Sequence, residues 1–214
     1  MKKLKLSNKI TWLFCVLPLS GIISAQTIGD LYKSIPDEMC PSLSKQNRIE
    51  LMEYYKSGHG DSISNRFGKS AHLLEMDTLQ DHIVVASTPI STFEMKILRD
   101  NVEKPLVLVI RTACGPICQS SIELYDTSWV KQSVQFKIPK SIDWVRNEAL
   151  VNTNVDIGWL KRMLEISFVS LKFDQKTNSI IAINNTLAFL SEEDKKLIVP
   201  YLDNNPKVIP LEGY

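Results

Sequence analysis

Histidine is scarce in this chain, with three among 214 residues, and there are only eight glycines. No His-Glu-x-x-His pair is present to hold a catalytic zinc, no glycine loop could cradle a phosphate, and no Gly-x-Ser-x-Gly elbow occurs. A serine or cysteine hydrolase would have to recruit its histidine from across the fold. His59 and Asp61 stand close together in an expected loop. His72 and His82 fall in expected strands with no carboxylate or thiol at ligand spacing, so neither a metal nor a cofactor is expected. Basic patches interleaved with aromatics are also missing, which argues against nucleic acid as a partner. Beyond the first 25 residues the next long apolar run is 106–110, far too short to cross a membrane.

What is present begins with an export signal. Residues 1–25 carry Lys2, Lys3, Lys5 and Lys9, then an apolar stretch over 10–23 broken by Pro18, then the small Ala25 before Gln26. Cys15 follows Leu13 and Phe14 instead of the small residues that lipoprotein processing requires, so no lipid anchor is expected. Removal of this segment takes away four basic residues and no acid. The remainder, 26–214, has 21 basic against 24 acidic side chains, a net charge of −3. With 44% hydrophobic content it can bury a sizeable core, and a single exported α+β domain is expected.

Thr27 is placed to cap a short helix whose Ile28, Leu31, Tyr32 and Ile35 share one face before Pro36 ends it. Ser42 or Ser44 opens a second helix through Lys56, with Gly58 as its stop. Strands are expected over 71–76 and 82–88, and over 91–98, where Phe93, Met95 and Ile97 face one way and Thr92, Glu94 and Lys96 the other, the polar side turned to water. Residues 106–110 are apolar on both faces, and 133–138 alternate through Val134, Phe136 and Ile138. The stretch 139–154 is expected to be loop with a helical turn, and 156–164 either helix or strand. A further hairpin spans 168–183, Ser191 caps a terminal helix, and the tail is expected to fray. Leu74-Glu75-Met76-Asp77 overlays Leu171-Lys172-Phe173-Asp174 without gaps, which raises the reading of a duplicated helix-plus-hairpin unit. The fold expected is α+β: an antiparallel meander with a stapled hairpin and helices packed on one face.

The chemistry centres on Cys114-Gly115-Pro116-Ile117-Cys118. In an exported chain two cysteines flanking a Gly-Pro turn are expected to be bonded to each other. Closing five residues stabilises by only about 2 kcal/mol, enough to pin a turn. Cys40 is the odd cysteine, and its pairing with either of the others is the alternative, which would tie the helical hairpin to the sheet. The motif is also similar to the Cys-Gly-Pro-Cys centre of thioredoxin-like oxidoreductases, with one residue inserted. Those enzymes, however, place a helix after it, and residues 119–126 alternate like a strand. Gly115, Pro116 and Ile117 therefore stand as a candidate interaction tip, and Cys40, Tyr125, Asp126 and Trp129 as further candidates, with Trp129 read as core.

The two-cysteine tip followed by Ile122-Glu123-Leu124-Tyr125-Asp126-Thr127-Ser128-Trp129, the export signal, and the opening Ile28-Gly29-Asp30-Leu31 with Ile35-Pro36 resemble an uncharacterised family of exported proteins from anaerobic Gram-negative bacteria of gut and mouth. The resemblance implies a periplasmic or outer-membrane-facing location and supplies no catalytic residue. The function expected is a non-enzymatic binding or assembly module of the cell envelope, its partner an envelope protein or a small ligand. The alternative is a periplasmic thiol-disulfide oxidoreductase using Cys114 and Cys118.

Overall fold

The structure, a computed structural model, describes residues 26–99, 104–134, 136–151 and 155–211; residues 1–25, expected to be an export signal, lie outside them. Thr27 accepts a hydrogen bond from the Asp30 amide and opens α1 (Ile28–Ser34), which the extended Ile35 before Pro36 closes. Ser44 and Asn47 form a reciprocal capping box at the start of α2 (Lys45–Ser57), and Gly58 ends it at φ 69°, a left-handed conformation that costs glycine little. The two helices are pinned by Arg48, whose side chain is fully buried. Its guanidinium donates to the Ile35 carbonyl, to the Leu43 carbonyl at 2.5 Å and to the Asp37 carboxylate at 3.1 Å. A charge can be kept inside only with partners of this kind.

Six strands follow in sequential antiparallel order: β1 (Ser62–Ser64), β2 (Ser70–Asp77), β3 (His82–Thr88), β4 (Ser91–Leu98), β5 (Leu106–Cys114) and β6 (Cys118–Asp126). Phe93, Met95 and Ile97, with Ile83, Val85, Val107 and Val109, join Leu31, Tyr32, Leu51 and Met52 of the helices in the first core. The opposite face, expected to be wet, is covered: Glu94 and Lys96 are each only 8% exposed. A second antiparallel sheet lies there, made of β7 (Val169–Asp174), β8 (Ser179–Asn184) and β9 (Lys207–Pro210). Leu108 and Ile110 of β5 join its Leu171, Phe173 and Ile180 in a second core. An arm apolar on both faces needs two covers, and the meander has a helical hairpin on one side and a sheet on the other.

Three expectations are corrected. Among the described residues, 133–138 form no strand. Lys131 bridges Tyr125 and the Gln132 amide reaches the Leu124 carbonyl, after which the chain leaves β6 and Phe136 and Ile138 pack on the second core. Period two marked an apolar face, not a backbone partner. Among the described residues, which end at Leu211, the tail does not fray; β9 pairs with β8, held by the Trp144 indole donating to the Asn205 carbonyl at 2.9 Å. Pro206 and Pro210 disguise it, and as an edge strand it tolerates them. The third is the covered polar face of β4. Between the sheets, Ser141–Trp144 make a 3-10 turn, followed by α3 (Asn147–Val151) and α4 (Ile157–Met163), the latter capped by Asp156. Residues 152–154 lie outside the described part. Ser191 caps α5 (Glu192–Ile198) as expected.

The overlaid hairpins share a turn. Asp77 accepts from the Leu79 and Gln80 amides and Asp174 from the Lys176 amide, and each four-residue loop closes on a left-handed residue, Asp81 or Asn178. No helix among the described residues is long and apolar enough to cross a membrane.

Candidate functional site

Cys114 and Cys118 face each other across β5 and β6 and are bonded, closing the tip over Gly115, Pro116 and Ile117. The backbone here is braced from both sides. The Cys114 amide donates to the Ile90 carbonyl at 2.7 Å, and the Asn185 side chain donates to the Cys118 carbonyl at 2.9 Å. Cys118 opens a strand, so the segment after it supplies no helix N-terminus to Cys114. Cys40 is a free thiol, 2% exposed, and burial pushes its pKa up, which removes the alternative pairings.

The other candidates do not join the tip. Tyr125 is in the first core, and its hydroxyl donates to Glu123 at 2.8 Å. Asp126 accepts from the Ser128 and Val130 amides and shapes the turn after β6. Trp129 packs on the first core, as expected, and its indole donates to Ser34 at 3.0 Å. With a rise of about 3.3 Å per residue, the length of β6 puts this group roughly 25 Å from the disulfide.

What the tip does join is the set of turns at its own end of the sheet. In a meander every second turn falls at the same end, so the β1–β2, β3–β4 and β5–β6 connections gather there, bringing Phe67 (65% exposed), Ile90 (62% exposed) and the half-buried Ile117 to one rim. Beside them, running back toward Cys40, is a cleft of about 510 Å³ whose apolar lining includes Met39, Pro41, Phe67 and Phe93, with hydroxyls of Ser91 and Ser121 among its polar groups. Arg111 is the one charged residue of that lining among the described residues. Its guanidinium sits 5.8 Å from the Phe93 ring centre, donates to the Met39 carbonyl at 3.2 Å and is ion-paired with Glu123.

Glu123 is in turn held by Lys131, and the two cations, Lys131 first, bring its carboxyl down to about 2. The folded state therefore keeps this carboxylate below its ordinary 4.5, so its stabilisation is present in full above about pH 4.5 and is lost as pH falls toward 2. Unfolding free energies measured across that window should fall less steeply in Glu123→Gln than in the wild type. Parallel slopes would contradict the ion-pair assignment.

Phe67, Ile90, Met39 and Arg111 were not singled out from the sequence, although the meander order contained the signal. Among the described residues no group of three or more His, Cys, Asp or Glu side chains is arranged to hold a metal.

Fold and site together define an α+β protein with an apolar cleft beneath a stapled hairpin. The chain belongs to the family described as Protein of unknown function (DUF3256), whose model matches residues 20–213. It is similar to a solved structure, a domain of an uncharacterized protein from Porphyromonas gingivalis W83, at 17% identity and a TM-score of 0.70, over 85% of this chain and 91% of that one. At that identity what the two share is the fold. No curated protein matches the sequence.

Proposed function

We propose that the chain is an exported, non-enzymatic binding module of the cell envelope, whose contact surface is the end of the sheet carrying the three hairpin tips. The observation that carries this reading is apolar side chains standing in solvent on a braced backbone: Phe67 and Ile90 stand in turn along the rim that ends at the turn locked by the Cys114–Cys118 bond, and a cleft opens beside them. Exposed apolar groups around a concavity are what interaction surfaces present. The occupant is an apolar side chain of an envelope protein, because Arg111 is already matched by Glu123 and offers no unmet charge. The export signal in residues 1–25 supports the envelope location. Against the thiol-disulfide oxidoreductase reading, the strand after Cys118 gives no helix dipole to activate Cys114.

The test compares immobilised wild type with Phe67→Ser/Ile90→Ser and with Leu79→Ser, a control at the opposite end of the sheet where Leu79 is 92% exposed. Each is exposed to envelope extract and the retained proteins are quantified by mass spectrometry. A partner retained by wild type and control, and reduced at least about tenfold on the tip variant, is the expected result for a surface with apolar hot spots. Equal retention on all three, or none on the wild type, overturns the proposal.

A further inference from the structure

The space between the two sheets contains a second cleft, of about 360 Å³, on the face of the meander turned away from α1 and α2. Its floor includes two ionisable side chains that the tip surface does not use, His82 at 2% exposure and Glu94 at 8%. Glu94 accepts from the His82 Nε2 at 2.8 Å and from the Phe173 amide at 2.9 Å, while the Gln175 amide nitrogen meets His82 Nδ1 at 3.1 Å. An interface needed only for packing would gain from apolar residues here, since burying polar groups costs about as much as their hydrogen bonds return.

The remaining lining states what such a cleft can hold. Thr92, Thr112 and Ser170 contribute hydroxyls. Ser170 already accepts from Asn185 at 2.9 Å, which leaves its O–H to donate, and Thr112 shares a hydrogen with Ser120 at 2.7 Å. The Thr92 hydroxyl has no hydrogen-bond partner among the described residues. Val84, Leu171 and Ile183 supply apolar walls between these groups. The charged lining is Glu75 and Glu94 against Lys172, and Lys96 stands outside it with its ammonium 5.0 Å from the Phe173 ring centre. A cleft of this size, without an excess of positive charge, rich in hydroxyl and carboxylate acceptors and walled by aliphatic carbon, matches a neutral molecule with hydroxyls around a C–H face.

We propose that the inter-sheet cleft binds a neutral hexopyranose, either free or as the terminal unit of a glycan. Glu94 and His82 form the polar floor against which its hydroxyls are set, and Thr92 and Ser170 are the direct hydrogen-bonding side chains. This goes beyond the tip surface, although Thr92 and Thr112 border both clefts.

The test is saturation-transfer NMR on the full mature protein with the methyl glycosides of glucose, galactose and mannose, with glucuronate as the anionic counterpart, and with methyl maltoside as the chain-end probe. At least one neutral hexoside is expected to bind saturably in the millimolar range and glucuronate about tenfold more weakly, because the lining sets two carboxylates, Glu75 and Glu94, against the single ammonium of Lys172. Methyl maltoside shows transfer confined to one ring if a chain end enters the cleft, and no transfer if only a free sugar fits. Uniform transfer to both rings would place the sugar on an open surface and overturn the proposal. Thr92→Val, nearly isosteric, is expected to weaken binding about tenfold at unchanged melting temperature. Ser170→Leu fills the cleft and abolishes binding. Silence from every neutral hexoside at about 50 mM, where a millimolar site would be nearly full, overturns the proposal. So does binding that is unchanged in both variants.

Discussion

Replacing Glu94 by alanine is expected to lower the stability of the fold by about 3 to 5 kcal/mol, the scale of leaving two buried donors unsatisfied at roughly 1 to 3 kcal/mol each. Glu94 is a buried link between the sheets. One of its oxygens takes the Phe173 amide of β7 and the imidazole of β3, and both donors are too buried for water to replace it. Glu94→Gln keeps an oxygen in place and should cost about 1 to 2 kcal/mol. In a double-mutant cycle with His82→Leu, Glu94→Leu should cost less than the sum of the single changes, because removing both polar partners leaves neither orphaned. Urea unfolding measures the totals. Hydrogen exchange locates them: amides of β7 and β8 should lose protection before those of β4 and β5. Uniform loss across both sheets, or a Glu94→Ala change near zero, would show that the second sheet is not held through this side chain.

Trp144→Ala is expected to cost a similar 3 to 5 kcal/mol or so, for a different reason. At 2% exposure, Trp144 is the largest side chain of the second core, and its removal leaves a cavity that its neighbours can fill only in part. The ring also organises the C-terminal segment: its indole bonds Asn205, its carbonyl accepts from the Asp203 amide at 2.8 Å, and Lys207 sits 5.6 Å from its centre. Protection of the β9 amides should therefore fall first, and Trp144→Phe, which keeps most of the volume, should recover about half the stability. If β9 stays protected in Trp144→Ala, the strand is held by its pairing with β8 alone.

Much of the meander was legible because its signals are local. β3 and β4 have the expected bounds, His82–Thr88 and Ser91–Leu98, since alternation and an intervening Pro89-Ile90 turn define them without outside help. The roof over β4 was not legible. Thr92, Glu94 and Lys96 read as a wet face because polar alternation normally means water, and only partners far along the chain, Phe173 above all, make burial tolerable. The same register explains His82: taken alone along the chain it has no companion, yet β3–β4 pairing sets it opposite Lys96 and within reach of Glu94. At the tip, nearness in sequence misled. Tyr125, Asp126 and Trp129 follow the cysteines closely but sit at the far end of β6, whereas Phe67 and Ile90, distant in sequence, share the tip's end through the alternation of turns.

The claim that this is a binding surface with a structural staple, and not a reactive thiol pair, is tested most directly by redox titration of the mature protein with alkylation and mass spectrometry. A Cys114–Cys118 bond in a strand hairpin, with no helix following Cys118 to stabilise a thiolate, should resist reduction to below about −300 mV, with Cys40 staying a free, slowly alkylating thiol. A bond that opens between about −120 and −200 mV, releasing a Cys114 that alkylates rapidly at neutral pH, would contradict the account and mark the protein as an oxidoreductase.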